Sequence, residues 1–118
     1  MTTLGDILQK KEERKAALMR SLELAVSRLK AMGAIKIVLF GSLARDDVDI
    51  YSDLDLLVVM PSERTGKQWS RRIYEDVDLA VAHDLFVYSQ SELEAQLKES
   101  SFLADVLEHG RVVYEKTV

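Results

Sequence analysis

The first third of the chain carries apolar residues at helical spacing. Residues three or four positions apart lie on one helical face, so the pattern predicts one long helix. Thr3 is a good N-cap, Asp6 suits the first turn, and Gly33 is a good terminator. Residues 9–15 are polar all round, which favours a solvated face over the alternative, a partner surface. The predicted apolar face consists of Leu18, Leu22, Ala25, Val26 and Leu29.

Four short apolar runs further along the chain predict β-strands. Residues 34–40 are apolar and β-branched, which is typical of a buried strand. A second run over residues 53–60 stops at Pro61. Residues 85–88 and 111–114 form two shorter runs of the same kind.

The segments between these runs predict further helices. A short helix is expected over 43–46, and Ser91 with Glu94 fits a capping box that opens another helix. Residues 102–107 carry the apolar face of a last helix, which Gly110 closes. A helix in the middle of the chain is predicted from a single apolar face made of Trp69, Ile73, Val77 and Val81.

The alternation of helices and strands predicts an α+β fold, with a mixed β-sheet of three to four strands covered by helices. The 118 residues point to a single domain, with a helical segment over 1–33 and a core over 34–118. Hydrophobic residues make up 47% of the chain, enough for a packed core. We expect little material for a second, substrate-binding lobe.

The composition excludes several functional classes. Lys and Arg number 16 against 20 Asp and Glu, a net charge of −4, so stable non-specific binding of nucleic acid is not expected. The chain has no Cys, which excludes disulfides, thiolate zinc sites and cysteine nucleophiles. Neither a signal peptide nor a membrane-spanning apolar run is visible, so we expect a cytoplasmic protein without membrane contact.

The first candidate for chemistry is the pair Gly41-Ser42, which ends the first predicted strand. Glycine lets a phosphate approach the backbone closely, and the Ser42 hydroxyl adds a donor. Arg45, one turn further on, could neutralise a phosphate or could form a surface ion pair with Asp47 or Asp49. A Gly-Ser pair after a strand is weak evidence by itself, because most such pairs are ordinary turns.

Asp53 and Asp55 strengthen the case for a site. Residues i and i+2 of a strand point to the same side, so the two carboxylates would project together and repel each other. A bound cation would remove that repulsion, and hard oxygen ligands suit Mg²⁺ or Mn²⁺. The alternative is two exposed acids at the start of a strand.

The combination is more specific than either part. Gly41-Ser42, ten intervening residues and then Asp53-Leu54-Asp55 resemble the signature of the DNA polymerase β-type nucleotidyltransferase superfamily, and most closely its stand-alone minimal members. The resemblance implies the polymerase-β-like nucleotidyltransferase fold, with Gly41, Ser42, Arg45 and Ser52 binding the nucleotide. Asp46 stands where a Gly is common in that family, which leaves the shape of this loop open.

The resemblance also implies a third carboxylate on a neighbouring strand. Asp84 opens the apolar run 85–88 and is the preferred candidate, whereas Asp78 falls within the predicted helix. Asp53, Asp55 and Asp84 would then be the catalytic metal ligands. Two Mg²⁺ ions, with Mn²⁺ as a possible substitute, would assist transfer of a nucleotide from ATP.

The acceptor is implied by the resemblance and not by any motif. Stand-alone minimal nucleotidyltransferases pair with a HEPN-domain ribonuclease toxin, and adenylylation of a toxin tyrosine makes the transferase an antitoxin. Homo- or hetero-oligomers are both compatible with the sequence. Two alternatives stay open: transfer to a small molecule, and a non-catalytic module that neutralises its partner by contact.

Overall fold

A computed structural model describes residues 1–117, so Val118, the last residue of the predicted core, lies outside the described residues. Four strands form one mixed sheet in the order β3-β2-β1-β4, with β1 antiparallel to β2 and β4, and β2 parallel to β3. The predicted α+β fold with a helix-covered mixed sheet is confirmed. The elements are α1 (Leu4–Ala31), β1 (Lys36–Phe40), α2 (Gly41–Ala44), β2 (Leu54–Met60), α3 (Gly66–Asp76), β3 (His83–Ser89), α4 (Gln90–Leu97), α5 (Ser101–His109) and β4 (Arg111–Glu115).

Helix α1 begins and ends where local chemistry predicts. The Thr3 hydroxyl accepts a hydrogen bond from the Asp6 amide, and the Asp6 carboxylate accepts one from the Thr3 amide, so a capping box opens the helix. Gly33 follows the helix with φ of 102°, a left-handed conformation suited to glycine. Only the second half of the helix is packed against the sheet, through Leu18, Leu22, Ala25 and Leu29.

The two faces of the sheet are packed differently. One face, here called the closed face, lies under α1 and α3 and contributes Ile37, Leu54, Leu56, Val58 and Met60 to the larger apolar cluster. The other, here called the open face, carries Val38 and Leu57, which pack against Leu103 and Val106 of α5. Successive residues of a strand alternate between these faces.

Three sequence predictions need correction. Helix α3 ends at Asp76, because Val77 is already extended, with φ of −118° and ψ of 116°. Val77 is buried there without being helical, so the helical reading extended too far and Asp78 falls in the following loop. The short helix α2 starts at Gly41, two residues earlier than predicted.

The capping box of α4 is also displaced by two residues. The Ser89 hydroxyl accepts from the Glu92 amide at 3.2 Å, and the Glu92 carboxylate accepts from the Ser89 amide at 2.9 Å. The predicted pair, Ser91 and Glu94, lies inside the helix. The prediction was wrong because the Glu92 carboxylate also accepts a hydrogen bond from the distant Gly66 amide, which fixes the helix start.

Across residues 1–117, no helix combines the length and hydrophobicity needed to cross a membrane.

Candidate active site

The sheet register brings two of the predicted carboxylates together. Strands β2 and β3 are parallel and both begin at the same edge, where Asp55 lies directly beside Asp84. Asp55 alternates with Leu56 and Asp84 with Leu85, both of which pack on the closed face, so the two acids lie on the open face. Asp78, the other candidate for the third acid, lies in the loop before β3 and has no such partner.

Asp53 lies immediately before β2, close enough to influence its neighbour. The pKa of Asp55 is raised above its ordinary value, first by burial and then by the negative charges of Asp84 and Asp53. Arg45 opposes this shift as the nearby positive charge. The arrangement therefore disfavours the ionised form of Asp55, and a bound cation would offset the repulsion between the carboxylates.

Gly41 is in direct contact with this acidic group. Its φ of 76° is left-handed, and a Cβ built on it would overlap the Asp55 carboxylate oxygen Oδ2. Any side chain at position 41 would therefore displace the carboxylate. The turn that follows β1 and the acid on β2 form one compact unit.

The remaining predicted nucleotide-binding residues differ in their freedom to bind. The Ser42 hydroxyl has no hydrogen-bond partner among the described residues, whereas the Ser52 hydroxyl accepts from the Asp49 amide at 2.9 Å and so holds the loop before β2. Arg45 is exposed and, in the described part of the chain, forms no ion pair with Asp47 or Asp49. Ser42 and Arg45 are thus available to a ligand, and Ser52 is engaged in loop structure.

The geometry of the carboxylates limits how they could hold a metal ion. Within residues 1–117, no group of three or more His, Asp or Glu side chains is arranged to hold a metal ion. Mg²⁺, however, is usually held by one or two carboxylates together with substrate phosphates and water, and not by an all-protein cage. Burial and the negative charge of Asp84 raise the pKa of Asp55, so this pair suits a cation that binds together with a polyphosphate.

Two residues that the sequence reading left in a polar segment contact the site loop. Arg14 donates from Nε to the Ser52 carbonyl at 2.8 Å, and its Nη2 lies 3.9 Å from Asp53 Oδ1. Lys15 contacts Asp46 at 2.7 Å. Position 14 lies one turn before Leu18 on the buried face of α1, and that spacing is the signal that could have found it.

Asp46 occupies the position where the resemblance noted in the sequence favours glycine. It adopts a left-handed backbone with φ of 54°, where glycine is the least strained residue and Asp is among those better tolerated. Lys15, which lies on α1, lowers the pKa of the Asp46 carboxyl by its hydrogen bond and its charge. Asp46 thus holds a left-handed turn, and its contact with Lys15 ties the loop to α1.

An aromatic cluster beside the carboxylates was also missed. Phe40, Phe86 and Phe102 have ring centroids 5.1–5.7 Å apart. Phe40 pairs with Asp55 in the antiparallel register, and Phe86 follows Asp84 by two residues on the same face. The period of two linking positions 84 and 86 was the available signal. Trp69, by contrast, is buried and donates to the Pro61 carbonyl, so its predicted core role is confirmed.

Comparisons with known proteins identify the family and the fold of the chain. The model of the family described as "Nucleotidyltransferase domain" matches residues 19–116. A crystal structure described as a "putative nucleotidyltransferase" from Sulfolobus solfataricus superposes with a TM-score of 0.60 at 14% identity, covering 91% of this chain and 88% of that chain. At that identity the likeness shows a shared fold. No curated protein shows significant sequence similarity to the chain.

Proposed function

Since the chain belongs to the nucleotidyltransferase domain family, we propose that it transfers AMP from ATP to an acceptor hydroxyl with the help of Mg²⁺ or Mn²⁺. The observation that carries this proposal is the contact unit formed by Gly41, Asp55 and Asp84. A backbone turn that can receive phosphate lies against a carboxylate, and a second carboxylate lies beside the first. Nucleotidyl transfer needs these two features next to each other.

The residues of the turn bind the triphosphate in this proposal. The free Ser42 hydroxyl donates to a phosphate oxygen, and Arg45 supplies positive charge near the same group. The backbone at Gly41 allows close approach, because there is no Cβ between the ligand and the Asp55 carboxylate. These contacts place the α-phosphorus over the acids at the starts of β2 and β3.

Asp55 and Asp84, with Asp53 beside them, would hold the divalent cations. When bound, the cations stabilise negative charge on the attacking and leaving oxygens. The acceptor hydroxyl releases its proton to solvent, its oxygen forms a bond to the α-phosphorus, the bond to the bridging oxygen of the β-phosphate breaks, and pyrophosphate leaves. Positioning and electrostatic stabilisation supply most of the rate in reactions of this kind.

The acceptor that we propose is a tyrosine hydroxyl of a HEPN-domain ribonuclease toxin, so that the protein acts as an antitoxin. This part rests on the resemblance to stand-alone minimal nucleotidyltransferases. It is supported by the open approach to the acids, because Asp84 and Phe86 are exposed and no second lobe covers them within residues 1–117. A hydroxyl carried on another protein could therefore reach the α-phosphorus.

One observation favours a second candidate function. The described residues contain no preformed group of three ligands for a metal, as a degenerate domain that neutralises its partner by contact alone would also show. The two candidates differ in whether the carboxylates are needed. The experiment therefore compares acid variants that keep the shape of the site.

Label transfer distinguishes the two candidates. The protein is incubated with Mg²⁺, α-labelled ATP and a HEPN-domain ribonuclease, the proposed acceptor, and label on the ribonuclease is measured. We expect Asp55→Asn and Asp84→Asn to abolish labelling. Asp78→Asn is the matched control, because Asp78 is exposed in the loop before β3 and has no partner in the sheet register.

Ribonuclease activity is measured in the same mixtures. Neutralisation of the ribonuclease by Asp55→Asn without any label would support the contact mechanism and reject the transferase. The acid variants should also keep or raise the melting temperature of the free protein, since ionised Asp55 is unfavourable in the fold. A large drop in melting temperature would mean that these acids serve structure.

A further inference from the structure

The open face exposes aromatic surface beside the acids. Phe86 of β3 is 37% exposed and Phe102 of α5 is 40% exposed. Leu103 and Val106, which also lie on α5, are only 0% and 4% exposed. The ring centroids of Phe86 and Phe102 lie 5.1 Å apart, so the two side chains form one surface, here called the aromatic platform. Exposed aromatic pairs of this kind are candidates for binding a flat ligand.

The platform is continuous with the candidate triphosphate site. Phe40 contacts both platform rings, because its ring centroid lies 5.6 Å from that of Phe86 and 5.7 Å from that of Phe102. Phe40 and Phe102 also line a hollow of about 250 Å³ that is bordered by Gly41 and Arg45. A ligand held at the turn by its phosphates is therefore within reach of the platform.

The sheet order gives the ligand a direction. Gly41 follows β1, Asp55 is on β2, and Phe86 is on β3, so Phe86 lies across Asp55 from the turn, whereas Phe102 borders the same hollow as the turn. A triphosphate tail at the turn places the α-phosphorus near Asp55. The nucleoside attached to that phosphorus then extends towards β3 and Phe86.

The negative charge of the carboxylates beside the platform favours a nucleotide over a protein surface as the ligand of the platform. A protein surface or a second copy of this chain would cover Asp53, Asp55 and Asp84 without a cation, and burying unpaired carboxylates is costly. A nucleotide brings its divalent cation with it. The base of the nucleotide also has a π-face, and any of the bases can stack on aromatic side chains.

We propose that the aromatic platform of Phe86 and Phe102 is the subsite for the heteroaromatic base of the nucleoside triphosphate. This inference rests on the proposed function and names the part of the site that binds the base. The rings are positioning residues for the nucleotide. They add affinity for ATP that a bare polyphosphate cannot gain.

The test compares two probes, ATP and inorganic tripolyphosphate, by titration calorimetry in Mg²⁺. The wild type should bind ATP more tightly than tripolyphosphate. Phe102→Leu and Phe86→Leu keep apolar packing and should each weaken ATP binding about tenfold without changing tripolyphosphate binding. Phe102→Trp should retain the affinity for ATP. Tyr74→Leu is the matched control, because Tyr74 is an exposed aromatic residue on α3, the helix that packs on the closed face of the sheet.

Four results would overturn the inference. Unchanged ATP affinity in Phe102→Leu with impaired transfer would assign the platform to the acceptor. Equal loss of both probes in the leucine variants would indicate a structural role. A wild type that binds neither probe and transfers no label would reject the proposed function and this inference with it, whereas transfer by a wild type with equal affinities would reject the inference alone.

Discussion

The closed and open faces of the sheet divide stability and chemistry between them. On the closed face, Leu54, Leu56 and Val58 are fully buried under α1 and α3. On the open face, α5 is nine residues long and covers Leu57 and Val38, but it leaves Asp84 and Phe86 exposed. Because the closed face supplies most of the core, the open face can carry unfavourable charge and exposed aromatic rings at one end of the sheet.

The largest predicted effect contrasts the two faces in stability. Leu56→Ala should lower the free energy of unfolding by about 3 kcal/mol, because it leaves a cavity in a fully buried region. Phe86→Ala removes a larger side chain but should cost only about 1 kcal/mol, because the ring is 37% exposed. Urea unfolding monitored through Trp69 measures both. Equal losses would show that the open face contributes to the core as much as the closed face.

The second prediction concerns the contact between the turn and the acids. Gly41→Ala should lower nucleotidyl transfer about 100-fold, since the new Cβ displaces the Asp55 carboxylate from its place. Gly33→Ala is a control with a similar left-handed strain, but the contact that its Cβ makes is an ordinary one with Pro61. Both variants should lose some stability, and only the first should lose activity. Comparable activity losses in the two variants would assign the effect to backbone strain.

Sequence reasoning succeeded where the decisive contacts are local. The Thr3 cap is set by Asp6, three residues away, and the four strands were found from short apolar runs. It was wrong at the end of α3 and the start of α4. Val77 is buried in an extended segment, and its position in the sequence happens to match the spacing of a helical face. The cap at Glu92 depends on a hydrogen bond from Gly66, which is distant in sequence.

The site shows the same limit. The sequence indicated the turn and Asp53-Leu54-Asp55, but only the register shows that Asp84 lies beside Asp55. The contact of Arg14 with the Ser52 carbonyl spans 38 positions, and helical spacing could indicate only that Arg14 lies on the buried face of α1. The roles of Asp53, Asp55 and Asp84 as metal ligands stay predictions.

The third prediction tests whether α1 serves the open face as well as the closed one. Arg14→Met keeps the apolar stem but loses the hydrogen bond to the Ser52 carbonyl and the nearby charge for Asp53. We expect a loss of about 1 kcal/mol in unfolding free energy and about a tenfold lower transfer rate, because the loop before β2 is less firmly held. Arg20→Met is the control, since Arg20 is exposed on the same helix. Normal transfer by Arg14→Met would confine α1 to a role in the core.

The smallest predicted effect concerns pH and the helix that borders the open face. Hydrogen bonds from the Ser89 and Gly66 amides lower the pKa of Glu92 below its ordinary value. A carboxylate with a lowered pKa in the folded state stabilises the fold at pH above the unfolded value, and this contribution is lost as the pH falls through the folded value. Glu92→Gln should therefore destabilise the protein by about 1 kcal/mol at neutral pH.

The difference between Glu92→Gln and the wild type should shrink as the pH falls from about 5, because the wild-type carboxyl then becomes neutral as well. Melting temperatures from pH 7 to pH 3 measure it, with Glu94→Gln as the control that sequence reasoning alone would have chosen as the cap. Since Glu94 makes no capping contact among the described residues, its variant should follow the wild type at every pH. A pH-independent effect of Glu92→Gln would mean that packing, and not the charged cap, joins α4 to the start of α3.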